Sequence, residues 1–506
     1  MIVSQYRRNS ILNLIFNYSN IVFNLITGIF LVPFYLRKVP LDAYGSFLAA
    51  VALAALIGLL EFGLSMVLTQ RLARSYARSD WTDFRQLTYN GLVAATLLAA
   101  ATCLITLSIG PWVPTLTNTV ATHASDLSSA FLLLGIAAAS NIYLNLFGSI
   151  FQALLKAATL GAINLLSAFI GILTVIVGFS WYGTLTAIAA GTIVRMVCAT
   201  VLLMGAALLT LRKIALLPQR APIRETVQLL RACVPIFIGG VAKSVAENVQ
   251  NLLLANTVSP SAIAVLALTQ KALQVCNMVL APIGSSIYSN LTQIKEKTDA
   301  LYFSSLLAIS IRGHFLVSVL LVATALTFNE PFVALWVGAD KFGGLGLSIL
   351  LGVATLLVTR FSFFSFLIYS TGEFKKPLIL ETSYSVTKIT LLLALIHPLG
   401  LYAIPLADVI AGIVFLYSLS TRLMAPHVRN STFGAGIYIN GWIELAALMA
   451  IGHIAIVWLP PIQGWSTLSA SIAAYLVLAT AVALAINFRF LNACSGFLRR
   501  KSVAIQ

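Results

Sequence analysis

Six basic residues lie inside apolar stretches of this chain: Arg195, Lys243, Lys271, Arg312, Arg360 and Lys388. Each falls within about five residues of the middle of its stretch, or about 8 Å along a helix that rises 1.5 Å per residue. The acids at that depth are Glu247 and Asp408, while Glu61, Glu381 and Glu444 lie nearer one end of theirs. A charge at the centre of a bilayer costs at least about 2.5–3.5 kcal/mol, so such residues must face protein or a water-filled cavity. Internal pairing removes part of the excess: Lys243 and Glu247 are four residues apart on one helix face, and Asp408 is a partner for Lys388. At least four cations then remain without a central acid. Their chemistry suits a multiply charged anion such as a phosphate or pyrophosphate, which Arg clamps through two oxygens and Lys attracts as a point charge. Lys243, Lys271, Arg312 and Arg360 are the first candidates for that contact, with Arg195 and Lys388 second.

Amides accompany the charges. Asn13, Asn17, Asn20 and Asn24 recur at spacings of four, three and four, which is one helical face. Of these, Asn20 and Asn24 are candidate binding residues. Lys243, Glu247 and Asn251 share a second face, Lys271 and Gln274 a third, and Arg312 is near His314. Amide hydrogen bonding between helices explains any single Asn equally well. An acid that holds a proton or sodium ion in one conformation only would couple an ion gradient to movement. Glu61 ranks first because no basic residue lies one turn away on its own helix, and Asp408 ranks second. Glu247 follows, since a neighbouring Lys243 would hold it ionised. A hydrogen bond at a helix end is an equal alternative for Glu61. The aromatics of FSFFSF (361–366) go round their helix and are expected to face lipid, and Trp112 and Trp336 to anchor outside loops. The five cysteines show no metal-ligand spacing, and no G-x-x-x-x-G-K-[ST] is present, so no cofactor is expected.

These residues must be positioned by helices. Of 506 residues, 59% are hydrophobic and 9% charged, against about 25% charged in soluble domains. Apolar runs of about twenty residues match the lipid core. A soluble enzyme, a disulfide scaffold and a disordered chain are thereby excluded. Fourteen spans are expected, near 12–34, 44–67, 87–109, 128–151, 160–180, 185–209, 233–256, 262–287, 303–327, 345–369, 378–397, 401–421, 440–459 and 466–488. Barrel strands would alternate, and nothing here does. With the N-terminus inside, 22 Lys and Arg fall in inside segments and 3 in outside ones. That is the positive-inside pattern, and it explains a net charge of +16 without nucleic acid. Both termini are then cytoplasmic, and the first span is read as uncleaved.

A shift of 220 residues overlays the first half on the second: Pro40 on Pro260, Pro111 on Pro331, Lys156 on Lys376 and Tyr182 on Tyr402. The expected plan is an all-α polytopic membrane protein with two six-helix lobes around a central cavity, plus two C-terminal helices. Its parts are a lobe over 1–211, a cytoplasmic linker over 212–232, a second lobe over 233–422, and the last two helices with a tail over 423–506. Six spans per lobe start both lobes inside, as in transporters with parallel repeats.

The N-terminal Arg pair, the Asn-rich first helix, PFYLRKVPLDAYGSF, LLEFGLSMVLTQRLAR and PFVALWVGADKFGG resemble polysaccharide transporters of the O-antigen flippase type. These belong to the multidrug/oligosaccharidyl-lipid/polysaccharide exporter superfamily, and the resemblance covers the whole chain. It implies alternating access and passage of undecaprenyl-pyrophosphate-linked oligosaccharide, an O-antigen or exopolysaccharide repeat unit, from inner to outer leaflet of the bacterial inner membrane. Glu61, before Phe-Gly, matches the acid that such transporters usually carry at the end of the second helix. The implied partners are the lipid-linked cargo, membrane lipids and other polysaccharide-assembly membrane proteins. A lipid II flippase and a multidrug antiporter are the alternatives within the superfamily, and the cationic interior argues against organic-cation cargo. A membrane glycosyl polymerase or ligase is the alternative from another class. Outside loops of only about 18 residues with no clustered acid pair argue against an enzyme. Without an ATP motif, a proton or sodium gradient is the candidate drive.

Overall fold

The computed structural model describes residues 2–61, 63–154, 156–295, 300–371, 375–418, 423–428, 444–452 and 462–488, with 490 and 492. Every regular element among them is helical. The elements are α1 (Ile2–Leu36), α2 (Leu41–Gly58), α3 (Leu64–Ala77), α4 (Trp81–Ile109), α5 (Val113–Leu116), α6 (Ala121–Ala153), α7 (Ala157–Tyr182), α8 (Leu185–Lys213) and α9 (Ile223–Thr257). They continue as α10 (Pro260–Thr269), α11 (Lys271–Lys295), α12 (Ala300–Trp336), α13 (Leu345–Ser370), α14 (Lys375–Leu399), α15 (Ala403–Ser418), α16 (Ala425–Val428), α17 (444–452) and α18 (Trp465–Ile486). Backbone groups inside lipid must be satisfied within their own segment, which is why the apolar runs fold this way.

Among the described residues nine helices are long and apolar enough to cross a membrane, and a tenth follows if α10 and the first part of α11, bent by 55°, form one crossing. The stretch Lys375–Leu416 is one of the nine, yet it makes two passes. Lys388 and Asp408 meet across the turn at Gly400 although 20 residues separate them. Twenty residues of continuous helix would hold them about 30 Å apart. Expected spans one, seven and thirteen fall on α1, α9 and α17, whose side chains are only partly described; those of Asn13 and Asn17 lie outside the described residues.

Expected span two is interrupted. After α2, a 3-10 turn over Leu59–Glu61 leads to Gly63, whose φ of +70° is a left-handed conformation open to glycine, and α3 starts at Leu64. Carboxylates cap helix starts elsewhere, one from its own turn and one from another helix. The Asp80 side chain accepts from the Asp83 amide at the start of α4, and Asp126 accepts from the Leu185 and Thr186 amides at the start of α8.

The chain divides into two compact units, Met1–Ala264 and Val265–Gln506. In the first, α3, α4, α6 and α8 close around Leu64, Leu68, Leu72, Phe84, Ile142, Phe151 and Leu203. α9, which the repeat assigns to the second lobe, packs on α2 and α4 in this unit, so the compact units do not divide within 212–232. Polar contacts hold its start: Asn90 donates to Glu225 at 3.0 Å and Thr226 donates to Asn90 at 3.1 Å. α7 and α8 approach through glycine. A Cβ on Gly191 would come within 2.7 Å of the Gly171 carbonyl oxygen, and one on Gly171 within 2.8 Å of the Gly191 oxygen. This is the close small-residue packing of membrane helices.

In the second unit α13 packs against α11, α12 and α15. Phe361, Phe363 and Phe364 are 4%, 3% and 1% exposed, so these aromatics of FSFFSF are core and not lipid-facing. Lipid tails and a protein interior are equally apolar, and hydrophobicity alone does not separate the two. Trp336 is also buried: α12 runs through Pro331 and ends on it, where an outside loop was expected. Trp112 is exposed just after α4, as expected. Carried forward by 220 residues, the starts of α1, α2, α4, α6, α7 and α8 fall within four residues of the starts of α9, α10, α12, α13, α14 and α15.

Candidate functional site

In the first unit the Gly171–Gly191 approach brings α8 onto α7 and places Arg195, one turn after Gly191, beside Gly171. From there its guanidinium Nη1 donates to Asn24 Oδ1 on α1 at 3.0 Å. Asn24 in turn donates to the Asn20 carbonyl at 2.7 Å. Asn20 donates to the carbonyls of Phe16 at 2.9 Å and of Gly161 on α7 at 3.3 Å, which seats α1 on α7. Three residues singled out by type thus form one connected group. Arg195 has no carboxylate within ion-pair distance among the described residues.

Glu61 accepts from the Ser65 amide at 3.0 Å and so closes the first turn of α3. That is the helix-end contact the sequence left open. Lys243 and Glu247 are both exposed on α9, and no ion pair joins them. The expected neutralisation within that helix face is therefore absent. Exposed side chains at this spacing gain only a few tenths of a kcal/mol from pairing, too little to fix them.

In the second unit the cations are placed differently. Arg312 on α12 is buried and forms an ion pair with Glu444 on α17, which is fully buried. Its Nε and Nη2 also donate to Asn487 Oδ1 at 3.0 and 2.5 Å, just beyond α18. Asn487 Nδ2 closes the triangle by donating to Glu444 Oε1 at 2.6 Å. Arg312 is thus not among the partnerless cations that the count of central acids predicted.

Lys388 on α14 contacts both oxygens of Asp408 on α15, at 2.8 and 3.0 Å, as the sequence suggested. Tyr384 donates to Asp408 Oδ1 at 2.8 Å. Arg360 on α13 lies over the Phe315 ring at 3.8 Å and near Phe364 at 5.6 Å. A guanidinium on an aromatic face is a favourable arrangement in a desolvated site. His314 stacks on Phe363 with ring centres 3.8 Å apart. Lys271 opens α11 immediately after the 55° bend, half-buried and without an ion-pair partner among the described residues. No group of three or more His, Cys, Asp or Glu among the described residues could hold a metal ion.

Comparison with known proteins agrees with this architecture. Lipid II flippase MurJ in an inward closed conformation superposes with a TM-score of 0.71 at 14% identity, over 95% of this chain and 99% of that one. An inward-facing multidrug resistance MATE family transporter of the MOP superfamily gives 0.61 at 18% identity, over 80% of this chain and 95% of that one. An outward-facing MATE transporter gives 0.56 at 18%, over 87% and 95%. No curated protein matches in sequence. At these identities the structures establish the fold, a multi-pass membrane fold shared by flippases and exporters. The profile described as "Polysaccharide biosynthesis protein" matches residues 7–295, more than half of the sequence, and the chain therefore belongs to the polysaccharide biosynthesis protein family.

Proposed function

We propose that this protein is a flippase for an undecaprenyl-pyrophosphate-linked oligosaccharide, an O-antigen or exopolysaccharide repeat unit. It carries the cargo from the inner to the outer leaflet of the bacterial inner membrane by alternating access and catalyses no covalent step. The observation that carries this reading is that Arg195, Lys243 and Lys271, all in expected spans, have no carboxylate partner among the described residues. Uncompensated cations there favour an anionic cargo over an organic cation. In this reading each of these three is by itself a candidate contact for the pyrophosphate, Asn20 and Asn24 orient Arg195, and Arg312 and Lys388, already paired, hold helices together. Arg360 lies over its aromatic neighbours and reaches cargo only if that stacking opens. Glu61, Asp408 and Glu247 are the acids through which a proton or sodium gradient would act.

Deletion of the gene should accumulate lipid-linked oligosaccharide on the inner leaflet, and complementation should clear it. A triple variant with Arg195, Lys243 and Lys271 changed to Gln should leave it uncleared at parent expression. Full clearance by that variant would overturn the cation assignment. The similarity to MurJ supports a second reading, lipid II as cargo, under which the deletion would accumulate peptidoglycan precursor instead. For coupling, vesicles with an imposed pH or sodium gradient should show faster transport; a parent protein indifferent to both gradients has no ion coupling.

A further inference from the structure

Among the described residues, α3, α6 and α7 line a half-open cavity of about 430 Å³ in the first unit. Its wall carries Ser65, Thr69 and Gln70 from α3, Asn145 and Gln152 from α6, and Asn164 from α7. Met66, Leu144, Gly148 and Leu160 complete it, and no described charged residue lines it. The walls are tied by Ser149, which donates to the Ser65 carbonyl at 3.0 Å and to the Asn145 carbonyl at 2.9 Å.

The hydrogen-bonding state of the six polar side chains sets this cavity apart. None of them bonds to another described residue. Elsewhere in the same unit hydroxyls turn back on their own helix: Thr88, Thr96, Thr102 and Thr106 each donate to the carbonyl four residues earlier. A primary amide offers two donors and two acceptor positions, and a hydroxyl one donor and two. Gln70 and Gln152 are exposed and Ser65, Thr69, Asn145 and Asn164 half-buried, so these four amides and two hydroxyls are available to a polar ligand that displaces solvent. The volume lies within the usual range of about 300–1,000 Å³ for ligand sites, and the wall is more polar than such sites usually are.

We infer that this cavity binds the neutral, polyhydroxylated part of the cargo, a sugar unit held by amide and hydroxyl hydrogen bonds and separate from the pyrophosphate contact. Among the described residues the lining is uncharged, which argues for the glycan and against the phosphate groups. Hydroxyls that both donate and accept match amides that do the same, and Met66, Leu144 and Leu160 suit the C–H face of a sugar ring. The assignment to cargo rests on the flippase reading; the affinity for a neutral glycan does not.

The test separates the two. The probe is the repeat-unit oligosaccharide hydrolysed from the host's own surface polysaccharide, free of lipid and pyrophosphate. With the full-length protein in nanodiscs, alkylation of an Asn164→Cys variant by a hydrophilic thiol reagent is followed by mass spectrometry of that peptide. The probe should slow modification in proportion to its occupancy, and inorganic pyrophosphate should not. Affinity of the otherwise unmodified protein for the probe should fall about tenfold with Asn145→Leu, the equivalent of one or two lost hydrogen bonds. In transport, Asn145→Leu should slow a cargo bearing the full repeat unit and spare one bearing a single sugar on the same lipid pyrophosphate. Protection by pyrophosphate instead of the glycan, or no protection by either, overturns the inference. Protection without any transport by the parent overturns the flippase reading and leaves a glycan site.

Discussion

In the first unit Arg195 leans on the neutral oxygen of Asn24, whereas in the second Arg312 and Lys388 each close on a carboxylate. The contrast extends beyond the cations. Six polar side chains around the first unit's cavity are uncommitted, while Glu444, Asn487, Asp408 and Tyr384 in the second are tied to a buried base or to one another. By count the second unit holds four of the six central cations, Lys271, Arg312, Arg360 and Lys388, against Arg195 and Lys243 in the first. Placement reverses that weighting for the two bases it neutralises internally. A membrane charge is informative about cargo only once its neighbours on other helices are known, because a paired charge and an available one look alike in sequence.

The sharpest way to break this comparison is to remove one partner of the buried triad. Glu444→Leu leaves Arg312 enclosed beside Asn487 alone, and should lower stability by about 3–5 kcal/mol, read as a fall in the thermal unfolding midpoint in detergent. The pair Arg312→Met with Glu444→Leu should recover most of it. A single variant as stable as the parent would mean that the second unit does not depend on this neutralisation.

Lys388→Met strands Asp408 in a site that is slightly more open, and a loss of about 2–3 kcal/mol is expected by the same assay. In the first unit, Gly191→Val should cost about 1–3 kcal/mol, since α7 must move away. It should also cut transport by more than its stability loss explains, because Arg195 moves with α8. Smallest in stability is Arg195→Gln, within about 0.5 kcal/mol of the parent because no carboxylate is left stranded. Its export of polysaccharide should nevertheless fall well below that of the parent. An Arg195→Gln protein that unfolds as readily as Glu444→Leu would erase the distinction between the units.

The helical plan was legible because apolar length reports directly on a bilayer. The repeat was legible because its period survives in the helix starts. The partnership of Lys388 with Asp408 could be read because both lie near the centres of adjacent spans. The triad could not, since Glu444 and Asn487 belong to helices far along the chain from Arg312. Phe361, Phe363 and Phe364 were misassigned because a helix surrounded by protein has the same apolar pattern as one surrounded by lipid. The cavity amides, Asn145 and Asn164, escaped notice because single polar residues in separate spans carry no spacing signal until α6 and α7 face each other.

The bond between Arg312 and Glu444 also has a consequence for biosynthesis. The two residues are 132 positions apart, so at roughly 5–20 residues per second Arg312 leaves the ribosome roughly 7–26 s before its counter-charge exists. During that interval a helix bearing an unmatched guanidinium must wait at the membrane, shielded by the insertion machinery or tilted toward the headgroups. The second unit cannot reach its final packing until the penultimate helix has been made. Chains truncated before residue 444 should therefore be cleared by membrane proteases far faster than chains that end after α18.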